Sequence, residues 1–222
     1  MEPNIGTECD DLGIQLSISL MCISLTHVQQ DITSALADGI RSTHIDIVDP
    51  DWGPPAMSLR HIGDLRKTLD VSIDVHLMVS DPSKYIDQAF ELGADRVMMP
   101  YQHTIDIYGP DMPSHPPNIV PVFESSAARS GIHYKPRQSL VMSVVPGDAG
   151  RPFRPDAIDT VEKIHEIAPQ APIISDGAVS PKTGRILYSA GATEFVIGST
   201  LLPNRRYSRD SILQFCRALK GH

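Results

Sequence analysis

Short strand-like runs recur along the chain, and their spacing limits the possible folds more than any other feature. Eight runs of three to six residues, rich in valine, isoleucine and leucine, begin 21 to 33 residues apart. Antiparallel hairpins would space strands more closely, whereas a parallel strand–helix unit needs about this length. The pattern therefore predicts an α/β fold, a (β/α)8 TIM barrel. The predicted strands are Leu16–Met21, His44–Val48, Ser72–Leu77, Arg96–Met99, Ile119–Phe123, Leu140–Val144, Ile173–Ser175 and Phe195–Ile197.

Helix signals occupy several of the intervals between these runs. Asp81 and Ser180 each stand before a proline, as a residue that opens a helix often does, and Asp156 precedes apolar residues at helical spacing. Residues 108–121 instead contain five prolines where the fourth helix would lie. Because proline inside a helix costs about 3 kcal/mol, we expect that helix to be short or replaced by a loop.

Size and charge exclude several classes of protein. With 222 residues, 41% of them hydrophobic, the chain can bury one sizeable core. We predict a flexible tail over residues 1–13 and a single barrel domain over residues 14–222. A formal charge of −8 without a basic run argues against nucleic-acid binding, and no apolar run is long enough to span a membrane. The polar start and three widely spaced cysteines indicate a cytoplasmic protein.

Two histidines and two aspartates stand at or near the ends of predicted strands. His44 and Asp46 are two residues apart in one strand and therefore point to the same face, while His76 and Asp176 follow at the ends of the third and seventh strands. Each alone could be an interior or turn residue. Together they converge on the carboxyl-terminal face, where barrel enzymes hold their active sites. Two imidazoles and two carboxylates suit a divalent ion such as zinc, manganese or iron.

Small residues follow the last three predicted strands. The segments are 146–150, 176–178 and Gly198-Ser199. Backbone N–H groups at such turns can approach an anion closely, and the loops after strands seven and eight commonly hold phosphate in barrels. Ordinary tight turns are the alternative interpretation. The methionines at strand ends (Met21, Met78 and Met142) are better explained by core packing than by a role in the site.

These motifs, taken in order, resemble the ribulose-phosphate 3-epimerase family. Residues 44–49 (HIDIVD) resemble the family's HxDxMD strand, and residues 74–78 (DVHLM) its DxHLM strand. Residues 142–150 (MSVVPGDAG) are similar to MSVxPGFGG, and residues 176–178 (DGA) to DGG. Gly198-Ser199 corresponds to the closing GS and residues 17–21 to the opening PSxL. The likeness extends from about residue 16 to residue 202 and includes epimerases of pentulose and allulose phosphates.

The resemblance implies a fold, a reaction and a set of site residues. The implied fold is a ribulose-phosphate-binding barrel, and the implied reaction is a metal-dependent 3-epimerisation of a ketose phosphate. D-ribulose 5-phosphate is the leading candidate substrate. His44, Asp46, His76 and Asp176 would hold one Zn²⁺, Mn²⁺ or Fe²⁺. Asp46 and Asp176 would also exchange protons at C3 on opposite faces, through a cis-enediolate stabilised by the metal. A homo-oligomer, dimer or hexamer, is also implied. The substrate-binding residues would be Ser19, His76, Met78, Met142, Gly147, Asp148, Ala149, Gly150, Gly177, Ala178, Gly198 and Ser199.

Several residues depart from the family pattern around the implied phosphate site. Asp148 and Ala149 replace phenylalanine and glycine, Arg151 replaces the usual glutamine, and Ala178 replaces the second glycine of DGG. An acid beside a phosphate is unfavourable, which Arg151 could offset. The loop over residues 49–55 (DPDWGPP) also differs, with Pro50 in place of a glycine and Pro55 in place of an asparagine. The reaction type is therefore better supported by the sequence than the substrate.

The sequence leaves three alternatives open. The first is a 3-epimerase of another sugar, such as allulose 6-phosphate or a modified sugar. The second is a decarboxylase or aldolase on the same barrel, but the DxKxxD strand of the related decarboxylases has no counterpart lysine in residues 44–49, and Lys67 and Lys84 lie in predicted helices. The third is a degenerate barrel that binds a sugar phosphate without turnover.

Overall fold

Eight parallel strands close into a barrel in which every strand pairs with its sequence neighbours and the first pairs with the last. The computed structural model describes residues 4–54, 57–110, 115–130, 132 and 135–221. The predicted (β/α)8 barrel is confirmed. The strands are β1 Gln15–Ser19, β2 Ser42–Val48, β3 Ser72–Met78, β4 Arg96–Pro100, β5 Ile119–Phe123, β6 Ser139–Met142, β7 Ile173–Asp176 and β8 Glu194–Ile197.

Helices surround the barrel and cover the outward faces of the strands. They are α1 Ile5–Leu12, α2 Val28–Ala37, α3 Arg60–Arg66, α4 Ile86–Glu91, α5 Tyr101–Tyr108, α6 Ala127–Ser130, α7 Asp156–Ile167, α8 Pro181–Ala190 and α9 Arg209–Leu219. Short 3₁₀ turns lie at Leu20–Cys22, Pro82–Lys84 and Pro203–Arg205. Within the described residues, every helix is too short or too polar to cross a membrane.

The two faces of the strands bury different apolar clusters. In β5, Val120 and Val122 point into the barrel, while Ile119 and Phe123 pack in the layer between strands and helices. This alternation is the two-residue period of a strand whose two faces are both buried. Strands β4 to β8 contribute apolar residues to both clusters, which explains their continuous runs of valine, isoleucine and leucine.

An ionic network closes the amino-terminal end of the barrel. Arg96 of β4 donates from Nε and Nη2 to the two carboxylate oxygens of Asp74 in β3, at 2.7 and 2.8 Å. The same Nη2 donates to Glu194 of β8 at 2.9 Å, and the Ser42 hydroxyl donates to Asp74 at 3.0 Å. The side chain of Asp74 is 1% exposed, so its charge depends on these partners.

Residues 5–12 form a helix, so the predicted flexible tail is wrong for these residues, while residues 1–3 lie outside the described part of the chain. The Asn4 side chain accepts the Gly6 N–H at the start of α1, and Gly13 ends it in the left-handed conformation. Ile5 and Cys9 are buried, and α1 packs against α9. Lys220, which follows α9, forms an ion pair with Glu8 of α1, with its Nζ 2.6 Å from Oε2. Burial of one apolar face therefore orders this segment.

The proline-rich segment leaves a short helix after β4, as expected. Helix α5 has eight residues, begins directly after Pro100 and ends before Gly109, which has a φ of +85°. Residues 111–114 of the segment lie outside the described residues. Strand β6 ends at Met142 rather than at Val144, and the Ser143 N–H and hydroxyl both donate to the Asp176 carbonyl oxygen, at 2.7 and 2.9 Å.

We predict that Arg96→Ala lowers the free energy of unfolding by about 3–5 kcal/mol, because the substitution leaves the buried Asp74 carboxylate without its cation. Urea denaturation measures the change. The control is Arg60→Ala, whose ion pair with Asp64 is exposed (87% and 54% for the two side chains) and contributes about 0–1 kcal/mol. Equal losses in the two variants would contradict a stabilising role for the network.

Candidate active site

The strand register brings the two histidines and two aspartates predicted from the sequence to one place. Asp46 of β2 pairs with His76 of β3, and Ser19 of β1 pairs with His44. Asp176 is the last residue of β7. Because the barrel is closed, β7 lies across its interior from β2 and β3. One ligand atom from each of His44, Asp46, His76 and Asp176 lies within 4.8 Å of the others.

Each carboxylate turns one oxygen toward the imidazoles. Oδ1 of Asp46 lies 3.3 Å from His44 Nε2 and 3.4 Å from His76 Nδ1. Oδ2 of Asp176 lies 3.6 and 3.7 Å from the same two nitrogens. The second oxygen of Asp46, Oδ2, lies 3.5 Å from the Ser19 hydroxyl. One oxygen of each aspartate therefore lies within 3.7 Å of both imidazole nitrogens.

The donor set fits a divalent metal ion. His44 Nε2 and His76 Nδ1 are buried and have no hydrogen-bond partner among the described residues, although both lie near carboxylate oxygens. Unpartnered buried nitrogens are costly, and a cation between the four side chains would satisfy both of them. Imidazole nitrogen and carboxylate oxygen are ligands used by zinc, manganese and iron.

The carboxylates dominate the electrostatics of this cluster. Burial alone would lower the pKa of His44, but Asp46 and then Asp176 raise it to about 9. Burial likewise opposes charge on His76, yet the nearby carboxylates of Asp176 and Asp46 raise its pKa. Burial would raise the pKa of Asp46, but His44 and His76 lower it. The centre of the four side chains is therefore a place where positive charge is favoured.

A pocket opens directly above this cluster at the carboxyl-terminal end of the barrel. Asp46 and Asp176 form part of its floor, while His44 and His76 are buried beneath it. Of the residues expected to bind substrate, His76 alone is absent from the pocket lining. The others all line it: Ser19, Met78, Met142, Gly147, Asp148, Ala149, Gly150, Gly177, Ala178, Gly198 and Ser199.

Two glycines of the predicted phosphate turns have backbone conformations that would be strained for any other residue. Gly147 has a φ of +105°, and a Cβ there would overlap the carbonyl oxygen of Trp52. Gly177 has a φ of +101°, and a Cβ there would overlap the methyl groups of Val144. Ala178 follows it with a φ of +48°, a strained conformation for a residue with a side chain. The strain lies in the wall of the pocket.

Further residues of the pocket were not among the predicted site residues. Cys22 reaches the wall from the 3₁₀ turn after β1, and burial raises the pKa of its thiol. Thr200 and Arg151 line the pocket from the loops after β8 and β6. Their positions depend on the course of loops, so the strand pattern gave no signal for Cys22 or Thr200. Arg151 was visible only as a departure from the family pattern.

Comparisons with known proteins agree with the motifs. A family model described as "Ribulose-phosphate 3 epimerase family" matches residues 15–113 and 116–202. A ribulose-phosphate 3-epimerase of Eremothecium gossypii is 29% identical over 189 residues, which cover 73% of this chain and 75% of that protein. A ribulose-phosphate 3-epimerase of Rhodobacter capsulatus is 26% identical over 211 residues, with 85% and 86% covered.

Solved structures share the fold at lower identity. A phosphoribosyl anthranilate isomerase of Thermotoga maritima matches with a TM-score of 0.65 at 13% identity, covering 94% of this chain and 100% of that one. At this identity the likeness concerns the barrel alone, because unrelated functions share this fold.

We predict opposite effects of two substitutions at neighbouring positions. Ala178→Gly relieves a φ of +48° and raises the free energy of unfolding by up to about 1 kcal/mol. Gly177→Ala places a Cβ on the Val144 methyl groups at a φ of +101° and lowers it by about 2 kcal/mol or more. Thermal and urea unfolding of both variants measure the changes. A loss of stability in Ala178→Gly as large as that in Gly177→Ala would refute the assignment of strain.

Proposed function

The chain belongs to the ribulose-phosphate 3-epimerase family, and we propose that it interconverts D-ribulose 5-phosphate and D-xylulose 5-phosphate. The observation that carries the proposal is the cluster of Asp46 and Asp176 with His44 and His76 beneath a pocket lined by small residues. Epimerisation at C3 requires one group that removes a proton and a second that returns one to the opposite face. Two separate carboxylates at the pocket floor meet this requirement.

The carboxylates of Asp46 and Asp176 are the proposed proton carriers. The C3–H bond breaks as one carboxylate takes the proton, and the electron pair moves toward the oxygen of the C2 carbonyl. The pair returns to C3 when the other carboxylate donates its proton on the far side, so the configuration inverts. Asp46 would transfer its proton through Oδ2, which lies 3.5 Å from the Ser19 hydroxyl, and Asp176 would act on the opposite face of the sugar. Ser19 would orient the sugar.

His44, Asp46, His76 and Asp176 are the residues that would hold a divalent ion, Zn²⁺, Mn²⁺ or Fe²⁺. When bound, the ion supplies positive charge that stabilises the negative charge developing on the substrate oxygens. One oxygen of each carboxylate lies 3.3 to 3.7 Å from the imidazole nitrogens, and a carboxylate has a second oxygen that can transfer a proton. The same two aspartates can therefore serve both roles.

Another sugar is the second candidate substrate. A 3-epimerase of allulose 6-phosphate or of a modified sugar would use the same four residues. The departures in the pocket wall favour it, since Asp148 adds a carboxylate and Ala178 adds a methyl group at the phosphate turns. Comparing the turnover rates of these sugars with that of D-ribulose 5-phosphate distinguishes the two candidates. Metal-loaded protein that turns over none of them would indicate a barrel that only binds.

We further propose a homo-oligomer, dimer or hexamer, in the cytoplasm. The described cysteines, Cys9, Cys22 and Cys216, are all free thiols, as in proteins of reducing compartments. A similar protein of Oryza sativa is a cytoplasmic isoform. Light scattering of the purified protein measures the oligomeric state, and a monomer would overturn that part of the proposal.

Asp46→Asn and Asp176→Asn are each predicted to lower kcat by about 10²–10⁴-fold, because each removes one acid–base group. Conversion of D-ribulose 5-phosphate followed by NMR measures the effect. Ser19→Ala is expected to reduce kcat/KM only severalfold, since its hydroxyl orients rather than carries a proton. The matched control is Asp87→Asn, an exposed aspartate on α4. Full activity of Asp46→Asn or of Asp176→Asn would overturn the two-base assignment.

Removal of the metal is predicted to abolish turnover reversibly. Dialysis against a chelator leaves the buried imidazole nitrogens of His44 and His76 unpartnered, and added Zn²⁺, Mn²⁺ or Fe²⁺ restores activity. Metal content by elemental analysis is measured beside activity. The double variant His44→Ala/His76→Ala should retain no stoichiometric metal. Undiminished activity in metal-free protein would remove the ion from the proposal.

A further inference from the structure

The charged groups that line the pocket are mostly carboxylates. Among the described lining residues, Asp46, Asp148 and Asp176 are acidic and Arg151 is the one cation. Two of the carboxylates face the imidazoles of His44 and His76, but Asp148 lies in the loop after β6. A phosphate group entering beside these carboxylates is repelled unless a positive charge meets it.

Asp148 also engages one backbone donor of the loop. Its Oδ1 accepts the N–H of Ala149 at 2.8 Å. Loop amides in this position are the groups that would otherwise donate to an anion. The loop therefore offers one fewer free N–H and carries an additional negative charge. An anionic substrate needs a donor of another kind here.

Arg151 is the available donor. It is half-buried and has no hydrogen bond or ion pair among the described residues. Other arginines near the site are engaged: Arg154 pairs with Asp156 at 3.6 Å, and Arg205 donates to the carbonyl oxygens of Met21 and Ile23 at 3.0 Å each. A guanidinium presents two parallel N–H groups that match the oxygens of a phosphate.

The loop that carries Arg151 is fixed on both sides. Before it, the backbone of Gly147 lies directly against Trp52 and Gly53 in the loop after β2. After it, the Arg154 N–H donates to the carbonyl oxygen of Ser143 at 2.8 Å. The Arg151 backbone is thus held at the pocket between two anchored points, so little ordering of the backbone is required when a ligand binds.

We propose that Arg151 is the specificity-determining residue that binds the terminal phosphate of the substrate, in place of the loop amide that Asp148 occupies. The site then selects phosphorylated over unphosphorylated ketoses through a guanidinium contact. This inference rests on the proposed function, because it names the residue that binds the phosphate group of the proposed substrate. Asp148 acts against the contact by repulsion and limits the affinity.

The test compares Arg151→Gln with the wild type as metal-loaded protein. Calorimetry with D-ribulose 5-phosphate should show a dissociation constant raised about 10- to 100-fold, while binding of unphosphorylated D-ribulose stays within about twofold. KM should rise with little change in kcat. Arg151→Lys should recover part of the affinity, and Asp148→Asn should bind the phosphate more tightly. Added salt should weaken binding to the wild type more than to Arg151→Gln.

Arg217→Gln, an exposed arginine of α9, is the matched control for loss of charge and should bind like the wild type. Equal affinity of Arg151→Gln and the wild type for D-ribulose 5-phosphate would overturn the inference, even if the enzyme turns the sugar over. Wild-type protein that binds neither sugar would overturn it as well. Tight, Arg151-dependent binding without turnover would instead overturn the proposed function and leave this inference supported.

Discussion

Closure of the parallel barrel is the constraint on which the site depends. The residues of the cluster come from β2, β3 and β7, and only a closed sheet brings β7 opposite the other two strands. The register then sets the level of each side chain, with Asp46 beside His76 and Ser19 beside His44. A shift of one residue in β2 would turn His44 and Asp46 from the interior to the helices.

Buried charged groups are fully hydrogen-bonded at one end of the barrel and incompletely paired at the other. At the amino-terminal end, Arg96, Asp74 and Glu194 satisfy one another through hydrogen bonds of 2.7 to 2.9 Å. At the carboxyl-terminal end, the contacts between imidazoles and carboxylates are 3.3 to 3.7 Å long and leave histidine nitrogens unpartnered. The first arrangement stabilises the closed sheet. The second retains unsatisfied groups that a bound ion and substrate can use.

The sequence predicted the strands and the cluster better than the segments around them. Strand runs buried on both faces and an HxD pair in one strand are local patterns, so the barrel and the convergence of His44, Asp46, His76 and Asp176 could be predicted. Helix α1 was missed because its pattern is mostly polar and its stability comes from contact with α9, a distant part of the chain. Cys22 was missed because the path of the turn after β1 brings it to the pocket, and the residue types in that turn do not reveal this path.

Transfer of solvent deuterium to C3 tests the central claim, that two carboxylates move the proton on opposite faces, most directly. Metal-loaded protein is incubated with D-ribulose 5-phosphate in D₂O and followed by NMR. If two carboxylates act, D-xylulose 5-phosphate carries deuterium at C3 from the first turnovers, while unconverted substrate retains its hydrogen. Product that keeps the original hydrogen, or deuterium that accumulates at C3 of the substrate without inversion, would contradict it.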